Sequence, residues 1–186
     1  MHNFKYIFLS LAFCPLVAMS ANKHVHGEAE LFVALEGNQV LIEFESPADN
    51  IIGFEHAPDT PLQRQELARS LELLQEHSSI VSFSGTACKQ ISAEVTSPFA
   101  SHNTAETHEK SHDSAHKKHE HKKNEHTEFH ASYALECDAD AQKTNPITVN
   151  AFKHFAGLRD VTVKWVTTNG QGSIKATAAK TELTLE

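Results

Sequence analysis

Fourteen histidines are spread over 186 residues, and eight of them fall between Ser101 and Ser132. That stretch, SHNTAETHEKSHDSAHKKHEHKKNEHTEFHAS, carries a single large hydrophobe, Phe129. Imidazole is a ligand for zinc, copper and nickel, and histidine-rich tracts of low complexity are a composition suited to such ions. His108, His112 and His116 recur every four residues, and His119 and His121 follow. A helix induced by zinc would set the first three on one face, within reach of a shared ion. No apolar stripe anchors such a helix, so the metal-free tract, residues 101–128, is expected to be a disordered insertion that binds several ions weakly. Five lysines and six acidic residues between Ser101 and His130 keep it solvated, and the acidic side chains add oxygen ligands.

Four histidines outside the tract's low-complexity centre are candidates for an ordered site. His24 and His26 are two apart, so on an extended strand both point to one side; a solvated chain start is the plainer alternative. His56 lies in the segment Gly53 to Pro58, GFEHAP, between a strand and a helix, where a scaffold positions binding residues. Asp49 and Glu55 there are potential oxygen ligands or simple turn formers. His130 is the histidine of the tract that falls on a regular strand. His77 and His154 read as a helix-end residue and a half-exposed helical residue.

The elements that must hold these residues follow from periodicity. Ala29, Leu31, Val33 and Leu35 alternate with polar positions, Gly37-Asn38 makes a turn, and Val40, Ile42 and Phe44 alternate after it, which predicts a β-hairpin ended by Pro47. Thr60-Pro61-Leu62-Gln63 is a helix start with a capping box, and Leu67, Leu71 and Leu74 continue a core stripe to about His77. Short strands are expected over Ile80–Ser84 and Ala87–Val95. After the tract, Phe129, Ala131, Tyr133, Leu135 and Cys137 share one strand face, and Glu128, His130, Ser132 and Glu136 the other. Asn145-Pro146 starts either a second helix through Phe155 or a strand over Ile147–Val149. Strands over Val161–Val166 and Ile174–Ala178 and a last one with Leu183 and Leu185 complete the order. The fold class expected is α+β, a mainly antiparallel sheet with two helices packed on it, interrupted by the disordered histidine-rich loop.

Residues 1–20 read as a signal peptide. Lys5, the apolar run Tyr6 to Val17 and Ala18-Met19-Ser20 supply its three regions, and the run is too short to span a bilayer. Residues 21–186 then form a single metal-binding domain. Without Lys5 it carries 15 basic against 24 acidic residues, near −9, which disfavours nucleic acid and acidic membrane surfaces as partners. The exported chain keeps Cys88 and Cys137, which suggests one disulfide across the loop; a Cys/His metal site is the competing reading.

The segments HVHGEAELFVALEGNQVLIEFESPADNIIGFEHAP, FHASYALEC and VTVKWVTTNGQG, in that order around a histidine-rich stretch, resemble the ZrgA-like family of zinc-regulated zinc-uptake proteins of proteobacteria. The resemblance covers essentially the whole mature chain. It implies a periplasmic protein that supports zinc import with an inner-membrane ABC-type or related transporter. Carried onto this sequence, its motifs fall on His24, His26 and Gly27, on Gly53 to Pro58 with His56, and on His130.

The function expected is therefore periplasmic zinc binding in support of uptake, with Zn2+ as the ion and with Cu2+ or Ni2+ able to bind in vitro. The alternative is a metal buffer, store or tolerance protein without a transporter partner. A metallohydrolase is not expected: there is no His-Glu-x-x-His, and the nearest imitation, His116 to His121, lies in the tract.

Overall fold

Alternating apolar residues build the frame. In β1 (Glu28–Glu36) Ala29, Leu31, Val33 and Leu35 are buried, and in β2 (Gln39–Pro47) Val40, Ile42 and Phe44 are. Gly37, at φ +58°, makes the tight turn that pairs them antiparallel. The computed structural model describes residues 25–99, 127–143 and 146–185. The expected signal peptide and most of the histidine tract lie outside them.

From β2 the chain enters a one-turn helix, α1 (Ala48–Ile52), and then α2 (Pro61–Leu74), whose Thr60 cap and Gln63 form the expected capping box. A second short helix, α3 (His77–Ile80), leads into β3 (Val81–Phe83) and β4 (Cys88–Thr96). After the tract come β5 (Glu128–Cys137), a 3-10 turn (Ala141–Lys143), β6 (Ile147–Val149), α4 (Ala151–His154), β7 (Asp160–Thr167), β8 (Gln171–Thr177) and β9 (Glu182–Leu183).

The strands form two sheets. The larger runs β4-β5-β2-β1-β7-β8, and the smaller runs β3-β6-β9. The inner face of the large sheet and the small sheet's Val81, Ile147, Val149 and Leu183 join one hydrophobic core with Leu74 and Phe155. The other face of the large sheet presents Glu30, Glu43, Glu45, Glu94, His130, Lys164 and Lys175, all exposed or half-buried. Tyr133, buried on β5, donates to the carbonyl of Leu74 at 2.6 Å and so ties the end of α2 to the sheet. Burial pushes its phenol pKa up, and the charge of Glu76 adds to this.

Several expectations are corrected. The described residues contain four helices rather than two, and the sheet expected to be mainly antiparallel is mixed, because β1 and β7 run parallel among otherwise antiparallel pairs. The sheet is open, with β4 and β8 at its edges. Of the alternatives over 147–155, the strand prevails: Ile147 and Val149 are buried in β6, and only one helical turn follows. The helix over 61–77 stops at Leu74, and His77 opens α3 instead of closing α2. Helix α1 had no periodic signal in its five residues. A bulge between Gln90 and Ser92 turns Ile91 outward, 58% exposed, although simple alternation puts it with Ala93 and Val95.

Cys88 and Cys137 are direct partners across β4 and β5 and form a disulfide with S–S 2.02 Å, so the Cys/His metal reading falls. The bridge joins these two strands at the end away from the tract. At the tract's end, Phe99 packs on Phe129, with ring centroids 6.5 Å apart, and Ala48 donates its N–H to the carbonyl of Thr127 at 2.8 Å. Both flanks of the tract are therefore fixed to the fold close to α1 and the start of β5.

Candidate metal centre

Register decides which polar side chains meet. Glu45 on β2 lies opposite His130 on β5, and Thr96 on β4 lies opposite His130 from the other side. Glu128, two residues before His130, projects from the same face of β5, since side chains alternate along a strand. The outcome is a group of Glu45, Glu128 and His130 whose ligand atoms all lie within 4.8 Å of one another. Among the described residues it is the one group of three histidine, cysteine or acidic side chains that meets this distance.

The imidazole sits between two carboxylates. Its Nδ1 is 3.9 Å from Glu45 Oε2, and its Nε2 is 3.7 Å from Glu128 Oε2. His130 and Glu45 are accessible, but the Glu128 side chain is only 10% exposed. Burial raises the Glu128 pKa from an ordinary 4.5 to about 7, and the charge of Glu45 and a hydrogen bond to its carboxyl add to the rise against a smaller opposing pull from His130. Two carboxyls this close hold a proton between them, and a divalent cation can take its place. Zinc binds nitrogen and carboxylate oxygen at about 2.0–2.2 Å, so a shared ion would take one ring nitrogen of His130 and draw both carboxylates toward it. Three protein ligands at an accessible face leave a coordination position open.

The group borders an open cavity of about 290 Å³ whose lining includes Glu43, Glu94, Thr96 and Ser132. Glu43 and Glu94 extend the negative field around the ligands, which raises the local concentration of cations. Glu30, nearby on β1, is instead neutralised by Lys164 at 2.7 Å.

The candidate histidines separate. His130 enters the group just described. His26, in the turn before β1, is 2.8 Å from Glu55 through Nε2 and 3.9 Å from Asp49 through Nδ1. His56 turns its Nδ1 to the carbonyl of Ala57 at 2.9 Å and to Asp59 at 3.7 Å, and its ring lies 5.2 Å from that of Phe54. His26, His56 and His130 thus do not share one ion-sized cluster. His24, His108, His112, His116, His119 and His121 lie outside the described residues. Sequence reasoning missed Glu45 as a ligand and counted Glu128 only among the acidic side chains of the tract, not as a partner of His130. The available signal was the shared strand face of Glu128 and His130; Glu45 needed the β2–β5 register.

No described helix is long and apolar enough to cross a membrane. The family model described as ZrgA family zinc uptake protein matches residues 23–185. No curated protein matches the chain.

Proposed function

The chain belongs to the ZrgA family of zinc uptake proteins, and on that premise we propose that it binds Zn2+ in the periplasm and passes it to an import system, an inner-membrane ABC-type transporter. Membership in a family of uptake proteins agrees with the expectation of a non-enzyme. The observation that carries the proposal is the group of Glu45, Glu128 and His130. One nitrogen and two oxygens suit zinc, and an accessible three-ligand site suits an ion that must leave again. His108, His112, His116, His119 and His121 are assigned to collection. The tract departs after Phe99 and returns at Thr127, both packed or hydrogen-bonded beside the start of β5, so an ion held there is at high effective concentration for the ordered group. Imidazole tracts also take Cu2+ and Ni2+, and the two carboxylates at the ordered group favour the harder zinc over Cu(I).

The test is zinc titration calorimetry on the mature chain beside a form lacking residues 103–126. The shortened form is expected to keep one tight ion, and His130→Ala in that form to weaken it by more than about tenfold, the lower bound for loss of even an outer-shell partner. A shortened form with no tight ion would remove the ordered site. Full zinc import with His130→Ala would reduce the protein to a buffer.

A further inference from the structure

We propose that His26 and Glu55, with Asp49 behind the imidazole, form a second divalent-cation site that shares no ligand with the Glu45, Glu128 and His130 group. His26 Nε2 and Glu55 Oε1 are 2.8 Å apart, a hydrogen-bond distance, and opening by about half an ångström brings them to the spacing of two ligands on one tetrahedral zinc ion. A cation entering there replaces the proton between them and takes one nitrogen and one oxygen, with water completing its sphere. Asp49 Oδ2 faces the other ring nitrogen at 3.9 Å. That is beyond hydrogen-bond distance, and an approach of about 1 Å would put Asp49 in the position of the carboxylate that orients a metal-bound histidine and raises its basicity.

The backbone under His26 is held from several sides, which an incidental surface ion pair does not need. The buried Asn50, next to Asp49 on α1, accepts from the Gly27 N–H at 2.6 Å and donates to the Glu28 carbonyl at 2.8 Å. Arg159 donates its guanidinium to the His26 carbonyl at 2.5 Å, and the backbone N–H groups of Arg159 and Asp160 both donate to the Gly27 carbonyl, at 2.8 and 2.9 Å. Gly27 itself has φ +89°, and a Cβ there would collide with the Arg159 guanidinium. The residue after His26 therefore has to be glycine for this anchoring. An imidazole carried on an anchored backbone beside two carboxylates is partly preorganised as a ligand. With two inner protein ligands the site is weaker than the first. Asp49 lies two residues beyond Pro47, the strand partner of Glu128, so the two sites lie along one stretch of chain.

This inference rests on the zinc-binding reading only for the identity of the ion, and it is tested by resolved histidine-ring nitrogen resonances of the full mature chain during titration with ZnCl2. His26→Gln, His130→Gln and His154→Gln assign the signals, and backbone amide spectra establish that each variant is folded. The His26 signals are expected to move at lower free zinc than those of His154, a half-buried histidine outside both groups. Asp49→Asn should raise the zinc needed by about tenfold, and Glu55→Gln by more, with the His130 response unchanged. A His26 signal that moves no earlier than that of His154, or is insensitive to Glu55→Gln, overturns the second site. Failure of His130 to respond while His26 does would overturn the first site and leave this one standing.

Discussion

Replacing Glu128 with glutamine should make the metal-free protein more stable at alkaline pH while removing its zinc affinity. Below about pH 4.5 the carboxyl is protonated in both folded and unfolded chains and contributes nothing. Between 4.5 and about 7 the unfolded chain releases the proton and the folded chain retains it, so stability falls as pH rises; above about 7 the loss is complete. A rise of this size corresponds to at most about 3 kcal/mol. Solvent access through the half-exposed Glu45 reduces this, and about 1–3 kcal/mol is the expected gain for the variant. The glutamine side chain has nearly the same shape, carries no charge and can donate to Glu45 as the protonated carboxyl does. The assay is urea denaturation of wild type and Glu128→Gln, both metal-free, from pH 4 to 8.5, with the disulfide intact. The variant's advantage should be absent at pH 4, appear through the interval to pH 7 and level off above it. Zinc should stabilise wild type by about 2.7 kcal/mol at a hundredfold excess over its dissociation constant and the variant far less. A variant no more stable than wild type at pH 8 would refute the account of Glu128 as a strained carboxylate.

Further outcomes follow from the same geometry. Converting both Cys88 and Cys137 to Ala should cost about 2–4 kcal/mol, read from urea midpoints, because the bridge closes a long loop. Zinc binding at His130 should survive, since seven steps along the strand, roughly 24 Å, lead from it to Cys137. Tyr133→Phe leaves the Leu74 carbonyl without its buried donor and should lower stability by about 1–2 kcal/mol, measured by chemical denaturation. Gly157→Ala should destabilise by at least about 1–3 kcal/mol in the same assay, because the added Cβ would lie 2.6 Å from the Asn50 Cα.

The sequence was most legible where one local rule decided the outcome. The β1–β2 hairpin follows from alternation and a glycine turn, the α2 start from its capping box, and the inward face of β5 from Phe129 to Cys137. It was least legible where structure depends on distant partners. Helix α1 and helix α4 each span one turn or little more, too short for a helical stripe to show. The Ile91 bulge inverts one residue's face without any glycine or proline to mark it. The parallel pairing of β1 with β7 joins strands at opposite ends of the chain. The candidate site divides in the same way. Imidazole chemistry picks out His26 and His130 unaided. Asp49 and Glu55 are legible as potential oxygen ligands but not as partners of His26, and Glu45 looks like an ordinary surface acid until strand register brings it to His130.

That division bears on how such a protein can hold an ion and still release it. A site of buried cysteines would bind zinc tightly and release it slowly, but Glu45, Glu128 and His130 stand on an accessible sheet face, with strain concentrated at the one carboxylate that is nearly covered. Without zinc, that carboxylate near neutral pH is held against a second negative charge, which favours capture. A modest fall in pH returns the proton to Glu128, and that change favours release. The cost to the metal-free fold is tolerable because other features hold the surrounding strands. The Cys88–Cys137 bridge closes one end of β4–β5, the Phe99–Phe129 contact closes the other, and Asn50 fixes the start of β1 to α1. A stiff sheet carrying one locally unfavourable carboxyl can therefore exchange an ion for a proton without rearranging its core.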